Sequence, residues 1–566
     1  MNINKQILLY TPLLIASMTG KAQTNIDLRN KWRLWENHPI YSFWKFISDT
    51  NTSMNNVGLL QTRGNRKGII GISYPMFQLN RDSITLSLHI KYKTTDCKYL
   101  IITFHSIGRN AKVVSSDTIS MALSNIWTDY SYDITCKSQF SLEVTIESEG
   151  TQPSKIGNVS IASFDLLCNG KELEKCPEDV TSDQLNESSV KTWQEFLLSS
   201  TMNKCILALG ETVHRTESLN NLASDIIKER IIRHNCKLVL LEIPLSMGLY
   251  LNRYIKNNER YTLDFYKKYI EPLTTHSLTA LFNWIKQYNH EHNNEVTLLG
   301  IDGDPYSFLG KMSLCHYIDC ANTGHKLDSL CYNILSNPNT EIDQMCIPTG
   351  YFPKEDSLLL QYCLNNIKQY DSVRLQFAHR DEKMVDTFQK IYDTYAIGKT
   401  TVTLYTHFMH SNYLMTSGTA FIHNSPSMGY YMKQLYGNDY ACLALSTYQG
   451  STWFNDAHNE LVYKPIQQAP YGSIEYAMTQ NKNDTITYLS TADFSTNPIY
   501  KIRYIGIFYS PDQFSYWILK ESIDGIVCTK SAGDSIRKPI SAQKYNQNLM
   551  YNYMLMLNAI KKRIDQ

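Results

Sequence analysis

The sequence predicts two folds in one chain: an all-β sandwich, jelly-roll-like, followed by an α/β domain with a mostly parallel sheet flanked by helices. Three observations predict this. A single hydrophobic core stops growing at about 250–300 residues, and the chain has 566. Residues 26–170 carry short runs such as "SITLSLHIKYK", "YLIITFHS" and "FSLEVTIES", in which polar residues alternate with apolar ones between polar turns. From residue 190 onward the apolar runs are short and mostly continuous and take turns with helical segments, the pattern of strands covered on both faces.

Taken in order, residues 1–22 read as an export signal. Lys5 opens the segment, "ILLYTPLLIASM" is a short apolar core, and small residues precede Gln23. The mature protein is therefore expected to be periplasmic or secreted. No later apolar run approaches the ~18 residues of a membrane span, so none is expected once the signal is removed. In the accessory domain, 26–170, Trp32, Trp35, Trp44 and Trp127 either stack on carbohydrate or pack the core. Residues 171–189 lie in a polar stretch, "NGKELEKCPEDVTSDQLNESS", and read as a linker. The α/β domain, 190–566, carries strand-like runs "CILALG", "KLVLLEIP", "VTLLGID", "TTVTLYTH", "YACLALST" and "IRYIGIFY". Between them stand helical segments "NLASDIIKERIIRHN", "LTALFNWIKQYNHEHN" and "EKMVDTFQKIYDTY".

Composition narrows the function. With 43% hydrophobic and 19% charged residues the chain is globular. A net charge of +1 without a Lys/Arg block argues against nucleic acid as a partner. Thirteen cysteines without a C-x-x-C pair indicate neither a disulfide framework nor a zinc module.

In open α/β sheets ligands bind beyond the carboxyl ends of the strands, where loops converge and helix N-termini present positive dipole ends. The residues just past each apolar run are therefore informative. The first run gives Glu211 and His214, the second Glu242, the third Asp302 and Asp304, the fourth His407 and His410, the fifth Ser446 and Thr447. Carboxylates and imidazoles from separate strands make a convergent polar cluster, the pattern of an active site. There is no G-x-S-x-G elbow for a serine nucleophile. A neutral imidazole takes a proton from water near pH 7, a carboxylate fixes its tautomer, and a second histidine polarises a carbonyl or protonates a leaving alkoxide. That chemistry is water attack on a small-molecule ester or lactone. The same side chains also suit zinc or iron, and a noncatalytic site for a glycan or small molecule is a further reading.

Residues 190–545 resemble the erythromycin esterase family. "LGETVH" matches its G-E-x-x-H motif, and "VLLEIP", "LNRYI", "NWIKQYN" with "VTLLGID", "HRDEKMVDTF", "THFMHSN", "SMGYYMKQLYGNDY", "STYQG", "YGSIEYAM" and "IDGIVCTK" come after it in the family's order. The resemblance implies hydrolysis without a metal or other cofactor, with the motif histidine as general base on water. It carries Glu211, His214, Glu242, His407 and His410 over as catalytic. The chain departs from the family at Arg215, where a small or aromatic residue is usual, and at Ala223, Ser277 and Phe408. Arg215 or Arg253 either replaces the missing arginine at position 223 or is a structural ion-pair partner, and Asp302 either caps a helix or joins them as a substrate contact. A substrate other than a macrolide lactone is expected from these departures.

Overall fold

The computed structural model describes residues 33–34, 42–49, 54–173 and 189–566, apart from 65, 76–82, 109–112, 138–140, 274–277, 303–306, 322–324, 338–344, 370–379, 396–399, 414–425, 457–459, 481–483, 495–498, 507–508, 510–512 and 534–537. The export segment 1–22, Trp32, Trp35, Ser277, Asp304 and most of the 171–189 stretch lie outside the described residues.

The N-terminal part is an antiparallel sandwich. Its strands are β1 (Arg33–Leu34), β2 (Ser42–Asp49), β3 (Met54–Arg63), β4 (Lys67–Pro75), β5 (Ser83–Thr95), β6 (Cys97–Ile107), β7 (Val113–Met121), β8 (Thr128–Lys137), β9 (Ser141–Gly150), β10 (Ile156–Cys168) and β11 (Lys171–Glu172). One sheet runs β1-β4-β9-β6-β7 and the other β2-β3-β10-β5-β8, with β11 pairing on β10. Alternation explains the register. Ile84, Leu86, Leu88, Ile90 and Tyr92 of β5 are buried and meet Ile70, Ile72, Leu100, Ile102, Val144 and Ile146 of the other sheet in one core, while the residues between them face solvent.

The second part is built on an eight-stranded sheet. Its strands are β12 (Val190–Thr192), β13 (Ile206–Glu211), β14 (Cys236–Pro244), β15 (Thr297–Asp302), β16 (Thr401–His407), β17 (Tyr440–Thr447), β20 (Ile486–Ser490) and β23 (Gly525–Thr529); between them lie two small ribbons, β18 (Gly450–Asn455) with β19 (Leu461–Ile466) and β21 (Ile499–Arg503) with β22 (Phe514–Ile518). The order is β12-β20-β23-β17-β13-β16-β14-β15. The run from β23 to β15 is parallel, and β20 and β12 close one edge antiparallel. Strands β13, β15, β17 and β23 are buried along their whole length, as continuous apolar runs require when helices cover both faces. One expectation is corrected here. The sequence pattern makes "IRYIGIFY" a strand like the others, yet Ile499–Arg503 forms a ribbon with β22, with a single bridge from Lys501 to Ser473, and the main sheet takes β23 from "IDGIVCTK" instead. A short apolar run does not encode its partner.

Topology positions the site. β13 is flanked by β16 and β17, while β14 lies beyond β16, so the chain changes direction around β13 and opens a crevice at the carboxyl ends. Two close approaches depend on glycine. A Cβ on Gly210 would lie 2.2 Å from Ser411 Oγ and 2.8 Å from Phe408 Cα, so only glycine lets the turn after β16 press on the end of β13. A Cβ on Gly248 would meet the backbone N of Gly300 at 1.9 Å, which sets the helix Leu245–Ile255 directly on β15. Among the described residues no helix is long and apolar enough to cross a membrane.

Candidate active site

The site is assembled by register. Glu211, the last residue of β13, pairs with His407, the last of β16, and Leu209 pairs with Tyr405. Paired residues of neighbouring strands share a face, and residues two apart along a strand do too, so Glu211, Tyr405 and His407 project together. Beyond Glu211 the chain turns through Val213, which bridges to Ile505, and Arg215 adopts a left-handed backbone with φ 62°. That turn folds His214 back over the strand it has just left.

His214 Nδ1 lies 2.6 Å from Glu211 Oε1. The Tyr405 hydroxyl donates to Glu211 Oε2 at 2.6 Å. The His214 side chain is 26% exposed against 12% for Glu211, so the imidazole is the open end of the pair. Its ring stacks on His407 with centroids 4.2 Å apart and planes at 28°. His407 is buried, and both its ring nitrogens have backbone partners: Nδ1 accepts from the Met409 N–H at 3.2 Å, capping the helix Phe408–Ser411, and Nε2 faces the Ile505 carbonyl at 3.3 Å. One nitrogen accepts and the other donates, which describes a neutral imidazole. Burial, reinforced by His214, pushes its pKa well below 6.5.

A buried charge network backs the pair. Glu242 sits where the β14–β15 ladder breaks between Leu241 and Pro244, and the irregularity turns its side chain toward β16. Its Oε2 accepts the His407 backbone N–H at 2.7 Å and its Oε1 accepts from Arg380 Nη2 at 2.7 Å. Arg380 opens the helix Arg380–Tyr395 and grips both oxygens of Asp302 at 3.0 and 2.7 Å, the side-on fork that suits guanidinium to carboxylate. His410 lies between Asp381 (Nδ1, 2.9 Å) and Glu242 (Nε2, 3.4 Å). Burial alone would lower the His410 pKa, but Asp381 and Glu242 outweigh it and push it up to about 10, an imidazolium at neutral pH. Burial works to raise the Glu242 carboxyl, yet His410 and Arg380 hold it well below the usual carboxylate range.

The structure thus brings Glu211, His214, Glu242, His407, His410 and Asp302 together. As donors they do not make a metal ligand set, since the His407 nitrogens and the Glu242 oxygens are already engaged. The candidate cation group found among the described residues, Asp319, His325 and Asp328, lies elsewhere, and Arg563 bonds both of its aspartates. Asp302, expected as a substrate contact, has both oxygens on Arg380. Arg215 reaches Asn455 Oδ1 at 3.0 Å and the Trp453 carbonyl at 3.4 Å, which ties the turn to the β18 ribbon. Burial lowers its pKa to about 10.

Arg253 is not brought to the cluster. It bonds the buried Asp356 at 2.7 Å and the Tyr317 hydroxyl at 3.3 Å. Its neighbour Asn252 accepts from the backbone of Leu298 at the start of β15, so Arg253 lies toward the amino end of that strand, away from Asp302 at its carboxyl end, about 12 Å along its helix at 1.5 Å per residue. Ser446 donates to Glu475 Oε1 at 2.7 Å and accepts from Thr212 at 3.1 Å, a separate polar chain at the end of β17. Sequence reasoning passes over Arg380, Asp381, Tyr405 and Asn220. The only signal is the "RD" of "HRDEKMVDTF", which carries the family resemblance but not, by itself, the charge pairing.

Several solved structures align with parts of the chain. A protein from Bacillus cereus is 16% identical, covering 61% of this chain and 96% of its own, with a TM-score of 0.47. The erythromycin esterase EreC, as a histidine-to-asparagine variant in its open conformation, is 14% identical over 62% of this chain and 99% of its own, TM-score 0.42. The xylan-binding CBM22-1 domain of Paenibacillus barcinonensis Xyn10C is 12% identical over 24% of this chain and 85% of its own, TM-score 0.19. No curated protein matches the chain. The matching family segment begins after Glu211, His214 and Glu242, and it includes Arg380, Asp381, Tyr405, His407 and His410. Residues 359–532 match the family model described as Erythromycin esterase.

Proposed function

We propose that the α/β domain is a hydrolase that cleaves a small-molecule ester or lactone with water activated by His214. The observation that carries this reading is the 2.6 Å contact between His214 Nδ1 and Glu211 Oε1 at the open end of a buried cluster. With Nδ1–H directed at the carboxylate, the Nε2 lone pair is left to take a proton from water. The hydroxide so formed adds to the ester carbonyl, and the imidazolium, stabilised by Glu211, returns the proton to the departing alkoxide.

The sequence assigns His407 to the oxyanion or the leaving group. With both nitrogens on backbone it acts instead as a neutral platform for the His214 ring, which opposes a second charge there. Glu242 balances Arg380 and His410 and holds the strand end of β16 through the His407 N–H. The test is a panel of esters and lactones, macrolides and acylated glycans included, offered to wild type and His214→Ala. Wild type should cleave at least one substrate that the variant leaves intact; equal cleavage by both would overturn the reading.

The sandwich is read as a carbohydrate-binding accessory domain. Trp127 is half-buried with Lys93 Nζ 4.8 Å above its ring, and it continues a polar row in which Ser87 meets Asp133, His89 meets Ser131 and Lys91 meets Asp129. Retardation of the full chain in polysaccharide gels, lost in Trp127→Ala, is the expected result. Export to the periplasm or beyond belongs to the same proposal, and a mature N-terminus near Gln23 is its check.

A further inference from the structure

We infer that Tyr405 and Asn220 tune the base: Tyr405 is a positioning residue that shares one hydroxyl proton between Glu211 and Asn220, and this sharing sets how strongly Glu211 supports the imidazolium of His214. The inference rests on the reading of His214 as the base.

A count of protons leads to it. The Tyr405 oxygen is 2.6 Å from Glu211 Oε2 and 2.6 Å from Asn220 Oδ1. Asn220 Nδ2 donates to the Thr216 carbonyl at 2.6 Å, so the amide oxygen, not the nitrogen, faces the tyrosine. The hydroxyl has one hydrogen and two acceptors before it. Burial, followed by the Glu211 charge, raises the Tyr405 pKa well above 10, so the proton stays on the phenol. Each fraction of that hydrogen bond given to Asn220 is withdrawn from Glu211. A carboxylate with a weaker donor is more basic and stabilises the neighbouring imidazolium more.

Register makes this arrangement specific. Tyr405 stands two residues before His407 on the face shared with Glu211, and Asn220 reaches it from the helix Glu217–Arg233. Bonding Oε2 also leaves Oε1 for His214 Nδ1, which fixes the tautomer that exposes Nε2. The groups facing His214 are Glu211 from β13, His407 from β16 and Glu242 from β14. Tyr405 faces Glu211, Glu242 and Tyr266. Neither Tyr405 nor Asn220 is charged at neutral pH, so neither substitution removes a charge from the site.

The two partners give opposite signs. Tyr405→Phe removes the donor from Glu211, so the His214 signal should move to higher pH than in wild type. Asn220→Leu removes the competing acceptor at similar volume, so the hydroxyl turns wholly to Glu211 and His214 should titrate lower. The measurement is the pH titration of histidine side-chain 15N resonances in the full chain, with the His214 signal assigned by its loss in His214→Ala. It needs no substrate. With a cleaved ester in hand, the acidic limb of kcat/KM should move with the same signs while KM holds. Unmoved titration in both folded variants, or shifts of the same sign, overturns the inference. Opposite shifts combined with full hydrolysis by His214→Ala would instead retain the tuning and refute the base.

Discussion

Replacing His410 with glutamine should flatten the alkaline side of the stability curve. In the native protein His410 lies 2.9 Å from Asp381 and 3.4 Å from Glu242. Burial pulls its pKa down, the carboxylates push it up, and the balance is about 10 against an ordinary 6.5. A group held above its unfolded pKa binds more protons folded than unfolded, so its stabilisation is full below the unfolded value and is lost as pH rises through the folded one. At about 1.4 kcal/mol per tenfold change in proton affinity, the contribution is at most about 5 kcal/mol below pH ~6, of which about 2 kcal/mol is gone by pH ~8. Urea unfolding of wild type and His410→Gln across this range reads the difference directly. The variant is expected to be less stable near pH 6, because Asp381 and Glu242 lose their cation, and the two curves should converge toward pH ~10. Curves that stay parallel would refute the assignment of His410 as a buried imidazolium.

Arg380→Met should cost about 3–5 kcal/mol, the usual penalty for leaving buried carboxylates without their partner, with Glu242 and Asp302 the two exposed to it; a loss under about 1 kcal/mol in urea unfolding would contradict the network. Arg253→Met should lower the melting temperature by breaking the pair with Asp356 while kcat/KM per folded molecule holds; a selective loss of turnover would return Arg253 to the site. Gly210→Ala should destabilise by about 1–3 kcal/mol or more, as overpacking does, because its Cβ would strike Ser411 and Phe408; unchanged stability would mean that the turn after β16 shifts freely.

Much of the fold was legible because the two periodicities differ. Alternation in "SITLSLHIKYK" gave β5, and continuous runs such as "CILALG" and "YACLALST" gave β13 and β17. The segment "NLASDIIKERIIRHN" overlaps the helix Glu217–Arg233, which starts four residues earlier and ends two residues sooner, and "EKMVDTFQKIYDTY" lies within Arg380–Tyr395. Strand ends also located Glu211, Glu242, His407 and His410, since parallel strands deliver their carboxyl ends to one edge. What the sequence withheld was pairing over distance. Arg380 and Asp381 stand in an ordinary polar helix start, and nothing local says that one binds Glu242 and Asp302 while the other holds His410. Tyr405 looks like core in a strand of core residues, and its bond to Glu211 spans 194 positions. Of the two readings of Arg253, substrate contact or structural ion pair, the pair with Asp356 is the one present. Arg253 stands close behind the second strand in sequence, but the intervening helix carries it toward the amino end of β15, away from the strand ends that build the site.

His214 as the base is the central claim, and rate loss with chemical rescue tests it most directly. On an ester cleaved by wild type near pH ~7, His214→Ala should lose about 10²–10⁴-fold in kcat/KM, the usual worth of a positioned proton acceptor. Added imidazole should restore part of that rate in proportion to its neutral form. A His214→Ala enzyme that turns over at the wild-type rate would contradict the claim.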